Sequence, residues 1–175
     1  MGGGEMQLVW LHGWGQSHAA MLHLAKLYEG SYYNVLYDFP GFGETPMLPA
    51  GADTEDYADA LIMELETLPI GGRVLVGHSF GCRVAVQVAH KRPDLLDGMV
   101  FIGGAGLQRD RSLWFKLKAL WRKVLGKLAY WSDRLFRTNN LEKYRQKFGS
   151  ADYKNAGPLR ETFVAVVTED LLPKA

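Results

Sequence analysis

Five residues, Gly77-His78-Ser79-Phe80-Gly81, constrain what this chain can fold into more than any other stretch. They follow the apolar run Val74-Leu75-Val76 and pass at once into Val84-Ala85-Val86-Gln87-Val88-Ala89, so the pattern reads strand, sharp turn, helix. A serine at the tip of so tight a turn sits in strained backbone. The residues two places to either side must then lack a Cβ so that strand and helix can approach, and Gly77 and Gly81 stand there. In that context G-x-S-x-G is a nucleophile elbow, which makes Ser79 the candidate nucleophile.

The same alternation runs through the first 106 residues. Gln7–Leu11 is a short apolar strand that enters His12-Gly13-Trp14-Gly15. Ser17 is predicted to cap a helix through Met21, Leu24 and Tyr28, closed by Gly30. Asn34–Asp38 reads as a second strand ended by Pro40-Gly41-Phe42-Gly43, and Asp53 or Thr54 caps a helix with Tyr57, Leu61 and Leu65 on one face. After the elbow helix, broken at Pro93, Gly98–Ile102 forms a fourth strand before Gly103-Gly104-Ala105-Gly106.

These strands are apolar throughout instead of alternating, which predicts a parallel sheet covered by helices on both faces. Right-handed crossovers bring the loops after the strands to one edge, where open α/β sheets bind ligands. The first glycine loop is not a dinucleotide fingerprint, because His18 stands where the third glycine of G-x-G-x-x-G belongs. No G-x-x-x-x-G-K-[ST] run occurs, and no cofactor or metal is expected.

Taken in order, LVWLHGWG, VLYDFPGFG, LVGHSFG and MVFIGGAG closely resemble the α/β-hydrolase superfamily, in its branch of small bacterial serine hydrolases. The resemblance implies an α/β-hydrolase core in residues 1–106 and a helical lid in 107–175. It also implies that Ser79 is the nucleophile and that the backbone N–H groups of Trp14 and Phe80 form the oxyanion hole. The expected reaction is cleavage of an ester- or thioester-like bond in a small-molecule acyl substrate, through an acyl-enzyme. An acyltransferase and a non-catalytic small-molecule-binding protein on the same fold are the alternatives.

The net charge of +1 conceals an asymmetry: residues 1–106 sum to −7, 107–147 to +9 and 148–175 to −1. In the basic stretch Leu113, Leu117, Leu120, Trp121, Val124, Leu125 and Leu128 recur at helical spacing, with Lys116, Lys123 and Lys127 on a second face. A lid is one reading. The other is a contact of residues 113–128 with anionic lipid or an acyl carrier, since Trp and Lys on opposed faces mark interfacial helices. No groove-reading motif is present, so nucleic acid is not an expected partner. Phe163–Val167 reads either as a lid helix or as a strand. A lone cysteine, Cys82, and the lack of a signal-peptide pattern lead to the expectation of a cytoplasmic protein.

An elbow serine of this fold takes its partners in the chain order Ser, acid, His. The histidines are His12, His18, His23, His78 and His90, and none lies beyond residue 90. The expectation is therefore that acid and histidine lie beyond residue 175, and that the chain as it stands lacks the base for Ser79.

Overall fold

The computed structural model describes residues 6–104, 113–141, 143, 144 and 150–174. Four strands form one parallel sheet in the order β2-β1-β3-β4: β1 Gln7–Leu11, β2 Tyr33–Tyr37, β3 Arg73–His78 and β4 Gly98–Ile102. Register pairs Leu11 with Tyr37 on one side and Gly77 on the other, and His78 with Ile102. The strand C-termini are thus level, and the four loops that leave them share one edge.

Each helix begins or ends where its local chemistry requires. Helix α2, Thr54–Thr67, opens on a capping box in which Asp53 accepts from the N–H groups of Glu55 and Asp56, while Asp56 accepts from the N–H of Asp53. Helix α1, Ala19–Lys26, departs from expectation: His18, not Ser17, is its N-cap, and it makes no side-chain cap. The reason is tertiary, because Asp38 at the end of β2 accepts the His18 N–H at 2.5 Å and pairs with its Nδ1 at 2.7 Å. Helix α3, Phe80–Lys91, follows the elbow and stops before a 3-10 turn at Pro93–Leu95.

Helices α2 and α3 pack on one sheet face, where Val9, Leu11 and Leu75 meet Tyr57, Leu61, Phe80 and Val84. The other face, Leu8, Trp10 and Val76, is covered by Met21 and Ala25 of α1. Beyond α1 that face is open, leaving an apolar groove of about 370 Å³ bordered by Leu8, Trp10, Val74, Val76, Val100 and Ile102. Along the β4 edge Met99, Val100 and Phe101 are exposed.

The chain divides into two compact units, Met1–Leu107 with Ala156–Ala175, and Gln108–Asn155. Residues 156–175, expected within the lid, therefore group with the sheet. Phe163–Val167 is helical, within α6, Arg160–Thr168, and Val166 of that helix enters the core. Gly157 and Pro158 begin a 3-10 turn before it. The second unit contains α4, Leu113–Phe136, and the short α5, Ala151–Asn155. The glycine-rich start, the end of the 103–106 loop and residues 107–112 lie outside the described residues.

Candidate active site

Ser79 stands between β3 and α3 with φ 48° and ψ −101°, a left-handed conformation that a residue with a Cβ adopts only under constraint. The constraint is the close approach of α3 to the sheet. A methyl on Gly77 would lie 2.8 Å from the Gly81 carbonyl carbon and from the Cys82 nitrogen. One on Gly81 would lie 2.8 Å from the Leu11 Cβ and closer still to the Leu11 carbonyl oxygen. The Ser79 N–H donates to the Ile102 carbonyl at 3.1 Å, which ties the elbow to the end of β4.

The loop after β1 comes to the same place. Trp14 packs its ring against Phe80 at 5.4 Å, Phe42 at 5.1 Å and Phe163 at 5.1 Å. Ser79, Trp14 and Phe80, predicted together from sequence, are thus gathered at one edge. Among the described residues the backbone N–H groups of Trp14 and Phe80 and the hydroxyl of Ser79 make no hydrogen bond. The neighbouring Gly13 N–H is taken by the Gln16 side chain at 3.0 Å, whose oxygen is 3.3 Å from His78 Nδ1.

None of the histidines stands as a base for Ser79. His12 is fully buried; its Nδ1 donates to the Gly13 carbonyl at 2.8 Å and its Nε2 accepts the Phe39 N–H at 3.1 Å. That pairing fixes the neutral tautomer. Burial, the largest influence, holds its pKa below the usual 6.5. The approach of Asp38 to within 3.7 Å of Nε2 is therefore not an ion pair. His18 is engaged by Asp38, His23 and His90 are exposed on α1 and α3, and His78 is directed to Gln16. Among the described residues no group of three His, Cys, Asp or Glu side chains could hold a metal ion.

The buried neutral His12 has a measurable consequence. Its folded pKa lies below the unfolded value, so below about pH 6.5 the unfolded chain takes up a proton that the native chain does not. Stability contributed by neutral His12 is full above that pH and declines as pH falls through it. Thermal unfolding should give a lower midpoint at pH 5 than at pH 7.5, with a smaller difference in His12→Asn. An equal difference in the two proteins would refute this assignment.

A polar lock behind the elbow helix was not legible as such. Gln87 on α3 is fully buried and donates to Thr54 at 2.8 Å and to Glu169 at 2.6 Å, while Thr54 donates to the other Glu169 oxygen. Arg83, one turn earlier, donates to the Glu169 carbonyl at 2.6 Å. The segment after α6 is thereby fastened to the helix whose first residue is Phe80. The one sequence signal was polar Arg83 and Gln87 at i, i+4 in the otherwise apolar stretch Phe80–Ala89.

Comparison with known proteins decides the family: the profile of the alpha/beta hydrolase fold matches residues 8–161. The chain belongs to the alpha/beta hydrolase family. Among curated relatives, the (E)-2-((N-methylformamido)methylene)succinate hydrolase of Acinetobacter baylyi is 34% identical over 97 residues, covering 55% of this chain and 37% of that protein. The pimeloyl-[acyl-carrier protein] methyl ester esterase of Aeromonas salmonicida is 30% identical over 108 residues, covering 61% and 41%. The chain spans about two fifths of the length of these curated relatives. The crystal structure of E-2-(acetamidomethylene)succinate hydrolase superposes with a TM-score of 0.66 at 23% identity, over 98% of this chain and 69% of that one, which shows the shared fold.

Proposed function

We infer that Ser79 is the nucleophile of a serine hydrolase that cleaves an ester- or thioester-like bond in a small-molecule acyl substrate. The observation that carries this is the strained serine at the strand edge, followed by Phe80, against whose ring Trp14 packs, with the backbone N–H groups of Trp14 and Phe80 free of partners among the described residues. Attack of the hydroxyl on a carbonyl places negative charge on its oxygen, and two fixed donors there stabilise it, each by about 100- to 1000-fold in rate. The ring wall of Trp14, Phe42 and Phe163 favours an apolar acyl part. Relatives named hydrolase and esterase support hydrolysis. The working compartment in this reading is the cytoplasm.

The acid and histidine of this enzyme belong to a further portion of polypeptide. The engagements of His12, His18 and His78 and the exposure of His23 and His90 support this, as does the partly covered sheet: a parallel sheet is ordinarily covered on both faces and closed or protected at its edges. Handedness says what the cover is. The β1-to-β2 crossover puts α1 on one face, while crossovers in the opposite direction put α2 and α3 on the other. A further strand beside β4 would bring its crossover helix to the α2/α3 face. The groove of Leu8, Trp10, Val76 and Ile102 therefore takes a helix that follows the last strand.

The test is the coding sequence downstream of Ala175. It should encode an apolar strand ending in Asp or Glu and a later histidine, and the extended protein should hydrolyse p-nitrophenyl acyl esters that the 175-residue chain does not. A stop codon with neither, or equal turnover by both proteins, would sink this reading. Transfer of the acyl group to an added alcohol in preference to water would identify an acyltransferase, and ligand binding without turnover a binding protein.

A further inference from the structure

Helix α4 presents an exposed apolar surface. It runs for 24 residues, Leu113–Phe136, or about 36 Å at helical rise. At about 100° per residue, Leu117, Leu120, Trp121, Val124, Leu128 and Trp131 fall on one side. With Trp114 and Leu125 the apolar arc is about 140° wide, with Ser132 inside it and Lys118 beside Phe136 at its far edge. Its side chains are exposed: Leu120 at 59%, Trp121 at 64% and Trp131 at 55%.

Charge borders this arc on both flanks. Lys123, Lys127 and Arg134 follow one margin and Arg122 lies past the other. Asp133 is the single acid of the helix, and it faces the turn that follows, accepting from Thr138, Asn140 and Leu141. No helix among the described residues is long and apolar enough to cross a membrane, so a bilayer could take α4 only lying in its surface.

We propose that α4 docks flat in the interface of an anionic lipid bilayer, with Trp121 and Trp131 in the headgroup and acyl boundary and Lys123, Lys127 and Arg134 on lipid phosphates. The ligand chemistry follows from the two halves of the surface. The basic margins select negative charge, which an acidic protein could also supply. The broad arc with three tryptophans needs an apolar phase several ångströms deep, which a bilayer supplies and a small acidic protein surface does not. The proposal is independent of the reaction assigned to Ser79.

Sedimentation of the 175-residue chain with extruded vesicles tests it. Vesicles of three parts phosphatidylcholine to one part phosphatidylglycerol should bind at least about tenfold more tightly than phosphatidylcholine alone, and 0.5 M salt should remove that preference. Tryptophan emission should shift to the blue on binding. Replacing both basic residues, Lys123→Gln with Lys127→Gln, should weaken binding about 30-fold. Trp121→Ala should weaken it with an unchanged circular dichroism spectrum. Binding that ignores these substitutions would show that the open sheet face, not α4, meets the vesicle, and would overturn the proposal. So would equal binding to both vesicle types, no binding to either, or displacement from vesicles by an acidic acyl carrier protein.

Discussion

Gly81→Ala should cost the chain about 3 kcal/mol or more, seen as a fall of roughly 10 °C in the thermal midpoint. A methyl there would be driven into the Leu11 backbone, whose carbonyl oxygen and Cβ cannot swing aside as a side-chain tip can. Leu11 is itself fixed, paired with Tyr37 on one side and Gly77 on the other and buried completely. Helix α3 must therefore move off the sheet. Its first turn would move with it, carrying the Ser79 hydroxyl and the Phe80 N–H away from the loop of Trp14. Gly98→Ala is the control: the new methyl would have only Val74 near it, at 3.9 Å, and the change should lie within about 0.5 kcal/mol. Similar urea midpoints for the two variants would refute the close-packing account of the elbow.

In the extended protein, Ser79→Ala should reduce kcat for ester hydrolysis by about 10⁴-fold or more while leaving substrate affinity largely in place. In the proposed reaction, loss of the hydroxyl removes the covalent step itself, whereas the aromatic wall around Trp14 is untouched. Fluorophosphonate labelling should vanish in the variant. In the 175-residue chain labelling should already be slow, because no hydrogen bond reaches the Ser79 hydroxyl among the described residues and His12 is committed to Gly13 and Phe39. Rapid stoichiometric labelling of that chain would show that its base is present after all. Ser79→Gly should give the complementary result, a gain of about 1 kcal/mol in stability as the strain at φ 48° is released, together with loss of labelling. A gain of stability at the cost of function is the signature of a residue held in place for chemistry.

The two halves of the chain differed in how far they could be read. Through residue 102 the strands, their parallel arrangement and the elbow were legible, because apolar runs and glycine turns act within a few residues. The capping box at Asp53 was legible for the same reason. The cap of α1 was not: Ser17 is a sound N-cap by type, but Asp38, twenty residues on, holds His18. Nor was the fate of residues 156–175, since Phe163–Val167 fits a strand or a helix equally until Val166 meets the core.

By itself the sequence determined the order of strands, turns and helices, the glycines that let α3 approach the sheet, and the serine between them. These follow from short-range sterics, which a few neighbouring residues set completely. Only the tertiary structure decided that His12 is held buried and neutral between Gly13 and Phe39, and that Gln87 and Arg83 fasten the segment at Glu169 to the elbow helix. It also decided that α1 covers only part of one sheet face and leaves an apolar groove beside it. Each of these depends on which distant groups come within a few ångströms and on how much water they exclude. Those quantities are set by packing across the whole unit, and no local pattern encodes them.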